Sequence, residues 1–193
     1  MPIATLRPDS DVTIALITFG AGVGNYGRVN ETTADDTNGV FRSDSASTFS
    51  DIYGLPDPSL SGTISSVTVY ARAWRTGHAY ESVQGIAQLG VFIGGTSYLS
   101  SSKSLAATAG TVSQAWATNP NTSAAWTWAN INDLRVVVSL SPGLWNDGKN
   151  SGTLTTYASQ VWVEVDYGSS LSMPLLLSGM RGGYFGMRGG YVN

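Results

Sequence analysis

Few residues in this sequence are of the kind that does covalent chemistry. It holds one histidine, His78, and no cysteine. Thiolate catalysis, cysteine-ligated metal and disulfide stapling are therefore excluded together. A lone histidine between Gly77 and Ala79 lacks the partners that a nucleophilic triad needs. The carboxylates come in pairs: Asp9 with Asp11, Asp35 with Asp36, and Glu164 with Asp166. The last two stand on one side of an alternating run, about 7 Å apart by strand rise. That distance suits a glycosidase pair, yet carboxylates alternating on an exposed face are ordinarily just solvated, so no catalytic residue is assigned. Asp35 and Asp36 are the hard-oxygen donors that Ca²⁺ takes, but such an ion wants several more, and no metal is assigned either. Gly22, Gly24 and Gly27 match the spacing of a dinucleotide fingerprint. The residues that follow do not form the helix whose N-terminus would hold a pyrophosphate, so no cofactor is expected.

The six tryptophans carry more weight. Trp126 or Trp128 is expected to plug the end of a core, since each such side chain buries roughly 150–250 Å². Trp74, Trp145 and Trp162 either sit in loops or alternate with inward apolar neighbours. They are the candidates for exposed contacts, and an exposed ring is what stacks on a sugar.

Strands must position these side chains. Gln160, Trp162, Glu164 and Asp166 alternate with Val161, Val163, Val165 and Tyr167, the two-residue period of a strand with one face in a core. Val67, Val69, Ala71 and Ala73 alternate in the same way with Thr68, Tyr70, Arg72 and Trp74. Ile86 to Ile93 reads as another strand, with Gly94-Gly95 turning it into Thr96–Leu99. Further strands are predicted over Asp11–Phe19, Val40–Ser43, Ser47–Ile52, Thr111–Thr118 and Arg135–Leu140, and Thr153–Tyr157 leads into the closing strand. A long loop is expected over Gly20–Asn38, and one helical turn within Ala129–Leu134. This series of short strands with turn signals between them predicts an all-β chain. The expected architecture is an antiparallel β-sandwich, with a jelly roll as its topology, followed by an extended C-terminal arm. The division falls at 1–168 for the sandwich and 169–193 for the arm.

Composition narrows the partners. A chain of 193 residues is one domain by length and needs no staples. Only 12% of residues are charged and the net charge is −3, so no basic field exists to hold nucleic acid. No apolar run approaches the roughly 20 residues that span a bilayer. Asp9 and Asp11 precede the apolar stretch Thr13–Phe19, where a signal peptide would carry basic residues.

Several spaced motifs occur together: Ile64-Ser65-Ser66-Val67-Thr68-Val69-Tyr70-Ala71-Arg72-Ala73, then Ile93-Gly94-Gly95-Thr96-Ser97-Tyr98, then Asn119-Pro120-Asn121-Thr122. Ala125-Trp126-Thr127-Trp128-Ala129-Asn130-Ile131-Asn132 and Gln160-Val161-Trp162-Val163-Glu164-Val165-Asp166-Tyr167 follow in order. Over roughly residues 5–167 the sequence resembles β-sandwich modules of tailed-bacteriophage structural proteins. The resemblance implies a fold similar to carbohydrate-binding modules, a place on a virion, synthesis in the host cytoplasm without a signal peptide, and no enzyme activity. It implies other virion proteins, or neighbouring copies in a homo-oligomer, as partners, with a glycan as the alternative ligand. Ser123 stands where the pattern usually has glycine, and the residues beyond Tyr167 lie outside the family.

Those last residues hold the sharpest local pattern. Gly179-Met180-Arg181-Gly182-Gly183-Tyr184 recurs as Gly186-Met187-Arg188-Gly189-Gly190-Tyr191, with Phe185 between, after Leu175-Leu176-Leu177. Glycine at this density does not hold a regular element alone, while Leu, Met, Tyr and Phe are costly to leave in water. An arm that becomes ordered on another subunit reconciles the two. Leu175, Leu176, Leu177, Met180, Tyr184, Phe185, Met187 and Tyr191 would be buried there, with Arg181 and Arg188 pairing with carboxylates or stacking on rings.

Overall fold

The two longest alternating runs become the two longest strands, and they lie side by side. The computed structural model describes residues 1–43, 47–77, 84–146 and 151–168, the side chains of 144–146 and 151 excepted. In chain order the strands are β1 (Ile3–Leu6), β2 (Ser10–Thr13), β3 (Ile17–Phe19), β4 (Gly39–Arg42), β5 (Phe49–Gly54), β6 (Thr63–Thr76) and β7 (Ile86–Ile93). They continue as β8 (Thr96–Leu99), β9 (Lys103–Ser104), β10 (Gly110–Trp116), β11 (Arg135–Ser141), β12 (Leu144–Asn146), β13 (Ser151–Thr153) and β14 (Thr155–Gly168). One short helix, α1 (Trp128–Asn132), stands where a helical turn is expected. It is started by a capping box in which Thr127 and Asn130 exchange side-chain and backbone bonds.

Two antiparallel sheets form the sandwich. One runs β10-β6-β14-β4-β3, with β1 beside β4 on the same edge of β14; the other runs β2-β5-β11-β7-β8, with β9 beside β8 on β7. Eight of these strands pair by nesting: β4 with β14, β5 with β11, β6 with β10, and β7 with β8. First pairs with last and the innermost two make a hairpin, which is a long antiparallel ribbon rolled into a sandwich, a jelly roll. The innermost turn is Gly94-Gly95, with φ of 59° and 80°, the left-handed pair that a two-residue hairpin requires.

The core lies between the sheets. Val67, Val69, Ala71 and Ala73 of β6 and Val161, Val163 and Val165 of β14 face Leu89 and Val91 of β7 and Val136, Val138 and Leu140 of β11; all are buried. Trp126 belongs to this core, and its Nε1 donates to the Trp116 carbonyl at 3.0 Å. Trp128 seals the same end, donating to the Gly62 carbonyl at 3.0 Å and meeting Tyr167 edge-on.

The predicted single strand over Asp11–Phe19 is instead β2 and β3, one in each sheet, and Ile3–Leu6 adds a strand that alternation alone does not reveal. The break has a physical cause in Asp51. Its carboxylate is fully buried and accepts four bonds: from the Ala15 and Leu16 N–H groups at 2.7 and 2.8 Å, from Asn25 Nδ2 at 2.6 Å and from the Tyr53 hydroxyl at 2.8 Å. Backbone donors that would have continued a ladder are turned inward to a side chain.

Candidate functional site

The outward side chains of β6 and β14 form two aromatic rows. Register sets Trp74 opposite Tyr157, Tyr157 opposite Phe41 and Tyr70 opposite Trp162. Neighbouring strands lie about 4.8 Å apart, so rings on opposed residues meet face to face. Trp74 and Tyr157 are 5.0 Å apart at 7°, Tyr157 and Phe41 are 5.8 Å apart at 27°, and Tyr70 and Trp162 are 4.9 Å apart at 4°. Phe19 closes the first row, edge-on to Tyr157 and Trp74 at 5.5 and 6.2 Å. The Arg7 guanidinium lies 5.6 Å over the Trp162 ring. Since β6 and β1 flank β14 on opposite sides, Trp162 has Tyr70 on one face and Arg7 on the other.

Between the rows sits an ion pair. Arg72 donates through Nε and Nη2 to the two oxygens of Asp36, both at 2.7 Å, and the Ser159 hydroxyl donates to Oδ1 at 2.7 Å. The bidentate fork favours the charged forms, holding the Asp36 carboxyl below its usual range and raising Arg72. Asp36 takes a left-handed φ of 57°, which aspartate tolerates. Ser159 is there because β14 slips register between Ala158 and Gln160, a bulge that turns the extra residue to Asp36. Arg7 and Gln160 Nε2 both donate to the Glu31 carbonyl, tying the Glu31–Asp36 loop over the same face.

The sequence-based candidates are distributed as follows. Trp74 and Trp162 project from the outer face, half-buried by their stacking partners. Trp145 lies on β12, which pairs only with β13, and its side chain is outside the described part. Leu175, Leu176, Leu177, Met180, Arg181, Tyr184, Phe185, Met187, Arg188 and Tyr191 lie outside the described residues, as does His78. Asp36 of the Asp35–Asp36 pair is committed to Arg72, and Asp35 accepts from the Thr37 N–H and hydroxyl at 2.9 and 2.8 Å. Those bonds, the backbone one first, hold the Asp35 carboxyl low. Glu164 accepts from Trp162 Nε1 at 3.1 Å and Asp166 from the Ser66 hydroxyl at 2.9 Å, both on the sheet's outer face. Among the described residues no three His, Asp or Glu side chains converge as metal ligands. The Gly22–Gly27 stretch leads into a single 3₁₀ turn, Tyr26–Arg28.

An open recess of about 450 Å³ lies at the far end of β5, lined by Asp9, Ser10, Leu55, Asp57, Asn132 and Arg135 among others. Its serine donates to Asp9 at 2.9 Å, and its arginine to the adjacent Leu134 carbonyl at 3.0 Å.

Sequence reasoning did not single out Tyr70, Arg72, Tyr157, Phe41, Phe19, Asp36 or Ser159 as a group. Tyr70 and Trp74 share a face in the alternation, which is a visible signal. The partners across strands are set by register, which is not. No family model matches the sequence, and no curated protein matches it.

Proposed function

We propose that this chain is a non-enzymatic structural protein of a phage particle, an auxiliary or decoration component that docks on other subunits through residues 169–193. The observation that carries the reading is that the two paired sheets and the core between them are built from residues up to Gly168, ahead of the glycine-aromatic repeat. Among the described residues the buried apolar ones run from Leu6 to Val165, and β14 ends at Gly168. The arm that follows is rich in glycine yet carries Leu, Met, Tyr and Phe, and apolar residues in such a segment find their burial on a partner. The motif resemblance is what favours a virion protein as that partner. The outer aromatic rows give the glycan alternative less support. Sugar stacking needs an open ring face, and Trp162 is covered on both faces while Trp74 spends one face on Tyr157.

The test removes residues 169–193. The truncated chain is expected to remain folded by far-ultraviolet circular dichroism and to stop co-sedimenting with particles. Undiminished co-sedimentation of the truncated chain overturns the reading.

A further inference from the structure

Unpaired strand edges are templates for another strand, and proteins ordinarily guard them. Most edges here are guarded. β3 is three residues long, and Arg28 donates across its end to the Phe19 carbonyl at 3.0 Å. β2 carries Asp11 and a register break between Asp11 and Thr13. β1 is four residues between Pro2 and Pro8, β8 is four residues, and β9 is two. β10 differs from all of them. Its seven residues, Gly-Thr-Val-Ser-Gln-Ala-Trp, pair with β6 in unbroken register from Gly110↔Ala73 to Trp116↔Val67, without proline, charge or bulge. Val112 and Trp116 reach the core from this edge but are only partly buried.

We propose that Leu175–Arg181 of the same chain adds to the open edge of β10 as an antiparallel strand and extends the sheet by one. Direction fits first. β14 ends at Gly168 beside Thr63, the start of β6, and β10 ends at the same end of the sheet, Trp116 lying opposite Val67. A chain that leaves Gly168 and turns back travels from the Trp116 end toward Gly110, antiparallel to β10, the more stable ladder. Reach fits next. Leu175 lies three strand spacings across from β14, about 14 Å, and about 10 Å along it from Gly168, roughly 17 Å in all, and the six residues from Ser169 to Pro174 span up to about 20 Å. Length and pattern fit last. Pro174, which has no N–H to give a ladder, precedes seven residues that do. With Ser178 opposite Ser113, Leu175 falls on the inner side with Trp116, where it covers the half-open edge of the core, and Leu177 falls beside Gln114, whose Oε1 accepts from Lys103 Nζ at 3.3 Å. The distal repeat, with Tyr184, Phe185, Met187 and Tyr191, then leaves at the Gly110 end. That it serves there as the contact to other subunits rests on the assembly reading above; the added strand does not.

The absence of cysteine makes disulfide trapping in the full-length chain easy to read. Ser113→Cys with Ser178→Cys, and Ser113→Cys with Leu176→Cys for a two-residue offset, are compared with Thr18→Cys on the β3 edge paired with Ser178→Cys. An intrachain disulfide is expected in monomeric protein in at least one of the β10 pairs, in roughly tenfold higher yield than in the Thr18 pair. In parallel, Leu177→Pro in the full-length chain is expected to speed amide exchange over Thr111–Ala115 about tenfold or more. Equal trapping at both edges, links formed only between chains, or unchanged exchange in Leu177→Pro overturns the proposal. If trapping fails while deletion of 169–193 still abolishes co-sedimentation, the strand is wrong and the assembly reading stands. If trapping succeeds and co-sedimentation survives deletion, the reverse holds.

Discussion

At the scale of the residue, the most consequential side chain is one with no part in the proposed docking. Asp51 is fully buried and satisfied by four donors, two of them backbone N–H groups of the segment joining β2 to β3. Its charge gives Tyr53 a reason to keep its proton, and burial, the larger effect, pushes the Tyr53 hydroxyl well above its ordinary range. Asp51→Ala takes the acceptor from four donors, of which only Asn25 Nδ2 has another partner among the described residues, the Leu16 carbonyl at 3.2 Å, so chemical denaturation is expected to show a loss of about 3 kcal/mol or more. Asp36 is the opposite case, a partly exposed carboxylate whose pair with Arg72 is worth about 1 kcal/mol or less. Its folded-state pKa is depressed, so the stabilisation is present above the unfolded value near 3.9 and is lost as pH falls through the folded one. Asp36→Asn keeps the left-handed backbone tolerable. The variant is expected to melt slightly below the parent at pH 7 and together with it near pH 2. A gap that persists unchanged in acid would mean the ion pair is not its source.

At the scale of the element, alternation made β6, β7, β10 and β11 legible, and it made the outer face of β14 legible from Gln160 onward. It did not give the bulge at Ser159, although Ala158 and Val161 both facing inward, three residues apart, is the trace such a bulge leaves. Nor did it give β1, whose four residues are strand only because β14 offers them an edge at Val163–Asp166. Close approach of β4 to β14 depends on Gly39. A Cβ there would run into the Ala158 carbonyl oxygen and lie 2.7 Å from a Phe19 ring carbon. Gly39→Ala is therefore expected to lower stability by about 2 kcal/mol or more and to disturb the Phe19–Tyr157 contact, readable by thermal melting with near-ultraviolet circular dichroism. A melt indistinguishable from the parent's would contradict so tight a fit.

At the scale of the whole molecule, the nested pairing explains why the chain's middle and its end share one sheet. β14 pairs with β6, β4 and β1, all of which precede it in the sequence. It lies between β6 on one side and β4 and β1 on the other, so it ties the first residues to the last described ones. The same position releases the arm at the end of the sheet where β10 also ends, which is why one deletion and one set of cysteine pairs address separate claims about it.

The amino-acid sequence alone determined that this is a β-protein, which residues of its long strands face inward, and that the C-terminal repeat differs in kind from the rest. Each follows from local spacing, because strand periodicity and glycine's conformational entropy act within a few residues. Only the tertiary structure decided which rings stack, which aspartate is buried and which strand of the described sheets forms the longest regular edge. These depend on register between strands far apart in the chain, and a shift of one residue would send every such side chain to the other face.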